Sequence, residues 1–292
     1  MSAERAAGGP LLVFLNEVAG GRRLLEAVRE RTARVPSVVV AAPQNQPAVG
    51  QLIDPGRLRE AARARVEVTM SLLSEFGIES VGEVMDPHPA LALDDAVRAH
   101  EPGEVLLSCL SETRFGLTRK DLVEWARKRF EPEVAVTHIP VRLGEDSVRW
   151  DVAHTLVVAT RTVAAPDLVN RLKERARERP HRYTIVSPRA EEVSEAQVVR
   201  DLAATLAELY RADVDATGQP MSPDPFGAVR NAIEHYRIDE VLISTFAGED
   251  SQWLEEDLVG RVREITEKPV EHIEVGRPAA AVAAAVAEGG ES

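Results

Sequence analysis

The sequence predicts an α/β protein built as two tandem, doubly wound domains, each with a five-stranded parallel sheet. Three observations carry this. First, the chain repeats itself: Asp86-Pro87-His88-Pro89 leads through a helical stretch to Glu104-Val-Leu-Leu-Ser108, and Ser222-Pro223-Asp224-Pro225 leads through another to Glu240-Val-Leu-Ile-Ser244. The offset is 136 residues throughout, and eight of the 23 aligned positions are identical. A repeat with a domain-sized period signals duplication and not a solenoid. Second, the strand-like runs are apolar and β-branched without alternation, the pattern of parallel strands covered on both faces. Third, β and α segments alternate in the same order in both halves, and right-handed crossovers then leave an open doubly wound sheet.

The first repeat opens with the apolar run 11–15, set between Gly-Gly-Pro and Gly20-Gly21. A helix is predicted over 22–33, with Leu24, Leu25 and Val28 on one face, and a second strand over 38–42. After a turn-rich loop, Asp54-Pro55 has the chemistry of a helix start, Asp accepting from free N–H groups and Pro occupying the first helical position. That helix is expected to stop at Phe76-Gly77, where glycine supplies a left-handed terminus. A strand over 80–85, a helix over 90–100, a strand over 105–109, a helix over 118–130 and a strand over 134–141 complete the repeat. Thr118-x-x-Asp121 fits a capping box for the last helix.

The second repeat is read in the same way. It has strands at 155–159, 183–187, near 214–218, at 241–245 and 270–275, and helices at 167–179, 194–211, 225–236 and 251–266. The polar segment 144–151 is expected to be a linker, giving domains over 1–143 and 152–276. The Ala-rich 277–292 is expected to be a flexible tail.

At 292 residues each half is long enough to bury a core. A hydrophobic fraction of 44% with 28% charged residues is that of an ordinary globular chain. The net charge is −13 and both halves are acidic, which argues against nucleic acid or an anionic membrane as the main partner. The excess of Arg over Lys reads as genome composition. The single cysteine, Cys109, rules out an internal disulfide and a cysteine metal cluster, and it reads as a small core residue. No secretion signal or spanning segment is visible, so a cytoplasmic protein is expected.

The chain contains no G-x4-G-K-[ST], G-x-G-x-x-G or G-x-S-x-G sequence and no histidine pair at metal-ligand spacing. Gly20-Gly21-Arg22-Arg23 is either an anion nest or a turn with solvated arginines. His138 and His272 hold matching places, as satisfied structural hydrogen bonds or as part of a dimer contact. Trp253, Asp257 and Arg261 fit either a helix-surface ion pair under an anchoring Trp or a recognition surface.

The order of elements, the long loop and helix after the second strand, and the final blocks Ser108…Asp121-Leu122…Val136-Thr137-His138-Ile139 and Ser244…Asp257-Leu258…Val270-Glu271-His272-Ile273 together resemble the universal stress protein family in its tandem form. That resemblance implies the adenine nucleotide alpha hydrolase-like fold and a bacterial stress-response setting. Nucleotide-binding members carry G-x2-G-x9-G-[ST] after the fourth strand, whose glycines let the backbone approach phosphates. Here each loop has one glycine, Gly116 or Gly248, and Glu249-Asp250 would repel phosphate unless a metal intervened. Asn16 and Thr160 stand where those members end the first strand with an acidic residue. The resemblance therefore points to Asn16, Gly20, Gly21, Ser108, Gly116, Thr160, Ser244, Gly248 and Ser251 as candidate ligand-binding positions, with no catalytic and no metal residues.

Three functional readings follow. The first is a non-catalytic, universal-stress-like regulatory or binding module that lacks the usual ATP motif and takes an unidentified protein or small molecule. The second is a stress protein that binds ATP or AMP through a non-standard site, and the third is a hydrolase-like enzyme of the same fold. In each, the two repeats are expected to pair within the chain through their last strands, and a homodimer is a further expectation.

Overall fold

The apolar runs form two five-stranded sheets. In a computed structural model, residues 8–16, 21–44, 55–110, 114–115, 120–141, 152–188, 193–221, 224–235, 237–248 and 257–276 are described. The chain divides into two compact units, Met1–Val148 with Asp215–Pro220, and Arg149–Val214 with Met221–Ser292. The expected linker 144–151 and tail 277–292 lie outside the described residues.

The first sheet is built from β1 (Leu11–Leu15), α1 (Arg22–Thr32), β2 (Val38–Pro43), α2 (Pro55–Ser74), β3 (Ser80–Met85), α3 (Pro89–His100), β4 (Glu104–Leu110), α4 (Leu122–Phe130) and β7 (Ala135–Val141). Between β4 and α4 lies a two-residue ribbon, β5 (Arg114–Phe115) and β6 (Lys120–Asp121), paired antiparallel. The second sheet uses β8 (Ala153–Val158), α5 (Pro166–Glu178), β9 (His181–Pro188), α6 (Glu195–Arg211), β10 (Asp215–Met221), α7 (Pro225–His235), β11 (Glu240–Phe246), α8 (Leu258–Ile265) and β12 (Val270–Val275).

Strand order is β3-β2-β1-β4-β7 in one sheet and β10-β9-β8-β11-β12 in the other. The β1–β2, β2–β3, β1–β4 and β4–β7 pairs are all parallel, as are β8–β9, β8–β11 and β11–β12. The two orders are the same, and each reverses direction once, between the first and fourth strands. The repeat detected by sequence, 104–108 and 240–244, falls in β4 and β11, which hold the same sheet position.

Every residue of β1, β2 and β8 is buried, which is why these runs are apolar throughout. On one face of the first sheet, Leu12, Phe14, Val105 and Leu107 pack against Ala92, Leu93 and Phe130 of α3 and α4. The second sheet repeats the arrangement with Leu156, Val158, Val241 and Ile243 against Val229, Ala232 and Val262 of α7 and α8.

Helix starts follow local chemistry. Pro89 occupies the first turn of α3, Ser194 accepts from Gln197 N–H at 3.2 Å, and Gly77 turns the chain after α2 at φ +70°. α4 begins at Leu122, not at 118, because Asp121 is its cap and accepts from Glu124 N–H at 2.8 Å. The expected cap Thr118 lies outside the described residues, and the ribbon uses Lys120 and Asp121. Replacing Asp121 with Ala should lower stability by about 1 kcal/mol in urea denaturation; an unchanged midpoint would show that the cap contributes nothing.

α8 spans Leu258–Ile265, and residues 251–256 of the expected helix lie outside the described residues. Asp257, at φ +47°, caps it by accepting from Gly260 N–H at 3.1 Å. Arg261 lies over the Phe226 ring at 4.0 Å, so these residues cap a helix and pack two helices together instead of forming the expected surface ion pair. Trp253 is outside the described residues.

Candidate functional site

In an open parallel sheet the ligand crevice lies beyond the carboxyl ends of the strands, where the strand order reverses. In the first sheet that point lies between β1 and β4. Asn16 follows β1 and is buried, and its N–H donates to the Ser108 carbonyl at 2.9 Å. The Ser108 hydroxyl is buried and has no hydrogen-bond partner. α2 brings the buried Arg65 to the same end of the sheet, where Nη2 donates to the Pro43 carbonyl at 2.7 Å. Gly21 caps α1 at φ +101°, and Arg22 pairs with Glu26 one turn on, at 2.9 Å.

The second sheet has its reversal between β8 and β11. Thr160 is buried there and donates to the Pro188 carbonyl at 2.5 Å, while Thr162 donates to the Ser244 carbonyl at 3.0 Å. The Ser244 hydroxyl is buried without a partner, and so is that of Ser187 at the end of β9. Gly248, at φ +67°, turns the chain just after β11.

Four residues singled out by sequence, Asn16, Ser108, Thr160 and Ser244, therefore stand at the two reversal points. Gly21 opens α1 and Gly248 follows β11. Gly20, Gly116 and Ser251 lie outside the described residues, as do Glu249 and Asp250. Ser187 and Thr162 escaped sequence reasoning because nothing in their local pattern separates a buried hydroxyl at a strand end from one in a turn. Unpartnered buried hydroxyls are uncommon and call for an explanation such as a ligand or water.

His138 and His272 hold equivalent registers, opposite Leu107 and Ile243. Each is a satisfied hydrogen bond: His138 Nε2 lies 3.2 Å from the Cys109 carbonyl, and His272 Nε2 lies 2.9 Å from Thr245 Oγ1. Cys109 itself is buried in the core.

The opposite, amino ends of the strands carry a charged arrangement that sequence reasoning missed. In the first sheet Glu104 Oε1 accepts from Arg31 Nε and from Thr137 Oγ1, both at 2.8 Å. In the second, Glu240 Oε1 accepts from Arg175 Nη2 at 2.6 Å, from Thr155 Oγ1 at 2.6 Å and from His181 Nε2 at 3.3 Å. Arg175 Nη1 also reaches Glu271 at 2.8 Å. The strand registers make Leu11 the counterpart of Thr155, and the same offset of 144 makes Arg31 the counterpart of Arg175. Thr137 and Glu271 likewise face Leu106 and Leu242. The ion pair is thus duplicated along with the fold.

The hydrogen bond from His181, then that from Thr155 and the Arg175 charge, hold the Glu240 carboxyl down at about 2, against the upward push of burial. Burial pushes the Tyr183 phenol well above its ordinary range. Tyr183 donates to the Leu172 carbonyl at 2.9 Å and stacks on His181 at 5.5 Å.

Among the described residues no cluster of His, Cys, Asp and Glu is arranged to hold a metal ion, and no helix is long and apolar enough to cross a membrane. No family model matches the chain, and no curated protein matches it. Among solved structures, the chain is similar to a universal stress protein from Archaeoglobus fulgidus DSM 4304, at 14% identity and a TM-score of 0.33, over 91% of this chain and 96% of that one. It is similar to a glycosyltransferase from Rickettsia africae ESF-5 at 9% identity and a TM-score of 0.27, over 96% and 88% of the two chains. It is also similar to the apo form of LigD from Sphingobium sp. strain SYK-6 at 13% identity and a TM-score of 0.22, over 77% and 94%. Likeness at these scores carries no argument about ligand or reaction, so function rests on the site itself.

Proposed function

We propose that the chain is a non-catalytic, universal-stress-like module of the cytoplasm. On this reading it takes a small ligand or a protein partner at its two strand-order reversal points, without the glycine-rich ATP motif. The observation that carries it is the matched pair of buried, unpartnered hydroxyls, Ser108 and Ser244, at the same place in both repeats. A fold that kept the same unused hydrogen-bonding group through duplication and divergence has a use for it at that place. The same reading has the repeats associating within the chain, with a homodimer as a further level of assembly.

A second reading, binding of ATP or AMP through a non-standard site, is favoured by the location of these hydroxyls in the crevice where this fold class holds nucleotides. It is opposed by the single glycine in each loop and by Glu249-Asp250. Mass spectrometry of the purified protein under native conditions separates the two. The first reading expects no adenine nucleotide carried through purification. A bound AMP or ATP near one equivalent per chain or more would replace it with the second.

A further inference from the structure

We infer that the second repeat carries an acid-sensitive latch at the amino ends of β8 and β9, built around His154, which the first repeat lacks. The latch is a cluster of buried polar groups. His154 is 2% exposed. Its Nδ1 lies 2.5 Å from the Arg237 carbonyl, which can only accept, so the ring proton sits on Nδ1. Nε2 then accepts from the Thr184 hydroxyl at 2.8 Å. The backbone N–H of His154 donates to Asp239 Oδ2 at 2.9 Å, tying β8 to the segment before β11. Arg182 of β9 places Nη2 only 3.3 Å from Nδ1. One neutral imidazole thus joins β8, β9 and the approach to β11.

A second proton on this ring removes the acceptor that Thr184 uses, and sets an imidazolium against the Arg182 guanidinium away from water. Asp239 and the Arg237 carbonyl favour the added proton; burial and Arg182 oppose it and prevail. Burial first, then Arg182, push His154 down to about 4. Once the strand ends open, the ring returns toward its ordinary value of about 6.5. Between those two values the open form binds more protons than the closed one, so the closed form is fully favoured above about 6.5 and loses ground as the pH falls toward 4. For this one group, the opening equilibrium rises about 20-fold from pH 7 to pH 5.

The first repeat has no counterpart. By strand register Pro10 stands where His154 does, and Ser37 where Arg182 does. Neither titrates, so mild acid should loosen one repeat and leave the other closed.

The test is hydrogen exchange with mass spectrometry on the full chain at pH 7 and pH 5, with rates corrected for the chemical dependence of exchange on pH. Protection of 153–158 and 181–188 should fall about 20-fold, while that of 11–15 and 38–43 changes less than about 3-fold. Equal changes in the two repeats, or none in β8 and β9, would overturn the inference. In His154→Asn the side-chain amide can still donate to the Arg237 carbonyl but does not titrate. The pH 7 to pH 5 ratio in β8 and β9 should then drop below about 3-fold. If that variant does not fold, an NMR titration of the wild-type imidazole decides. The His154 ring should stay neutral to pH 5 in the folded chain, and a midpoint near 6.5 would overturn the latch.

Discussion

Replacing Glu240 with Gln is expected to destabilise the second repeat by about 2–4 kcal/mol, because it removes the better buried of the two carboxylates that face Arg175 and leaves only the more exposed Glu271 to balance the guanidinium. The Arg175 and Glu240 side chains are only 12% and 13% exposed, and the carboxylate also serves Thr155 and His181. An amide can accept from one or two of these donors but carries no charge to balance the guanidinium. The duplicate pair supplies an internal control. Arg31 and Glu104 are 23% and 24% exposed, and Glu104 serves one fewer neighbour, so Glu104→Gln should cost less, about 1–3 kcal/mol. Urea denaturation of the two variants, with hydrogen exchange to assign each loss to its repeat, provides the comparison. Equal losses, or a larger one at Glu104, would mean that burial does not set the value of this pair.

The second large effect is expected in the apolar cores. Leu107 and Ile243 are equivalent residues of β4 and β11, fully buried, and central to their clusters. Truncating either to Ala leaves a cavity between sheet and helices, and each should lose about 2–5 kcal/mol. The chief expectation is that the two losses are alike, since the sites are copies with the same sheet position. A loss below about 1 kcal/mol at one of them would show that its core had collapsed around the gap.

Much of the architecture was legible in the sequence, for a physical reason. Strands buried on both faces must be apolar along their whole length, so β1 begins and ends where composition placed it; the edge strands β3 and β12 also match their expected bounds, although they are partly exposed and of mixed composition. The helix starts were harder. Thr118 and Asp121 both have side chains that can cap, and only the ribbon that takes up Lys120 and Asp121 decides between them. Of the helix expected over 251–266, the described part is Leu258–Ile265, capped by Asp257 in a left-handed conformation.

The carboxyl-end residues Asn16, Ser108, Thr160 and Ser244 were singled out by the resemblance in the order of elements, which ties a binding position to the end of the first and fourth strands of each repeat. The amino-end ion pairs were not. Glu104 and Glu240 match at an offset of 136, but Arg31 and Arg175 match at 144, so an ungapped comparison hides them. Their meeting depends on a helix folding back over a strand about 70 residues away in sequence, a contact that no local pattern records. His154 and His181 are hidden for the same reason: their partners Arg237 and Glu240 lie 83 and 59 residues away in sequence.

The central claim is a duplicated α/β fold whose reversal points are not built for a triphosphate. Isothermal calorimetry of the full chain with Mg-ATP tests it most directly. Each loop has a single glycine, where a backbone cradle for phosphate uses several, and the sequence of the second adds the acidic pair Glu249-Asp250. The expected result is no saturable heat at micromolar nucleotide, for ATP and AMP alike. A saturable isotherm with a low-micromolar dissociation constant or tighter would contradict the account.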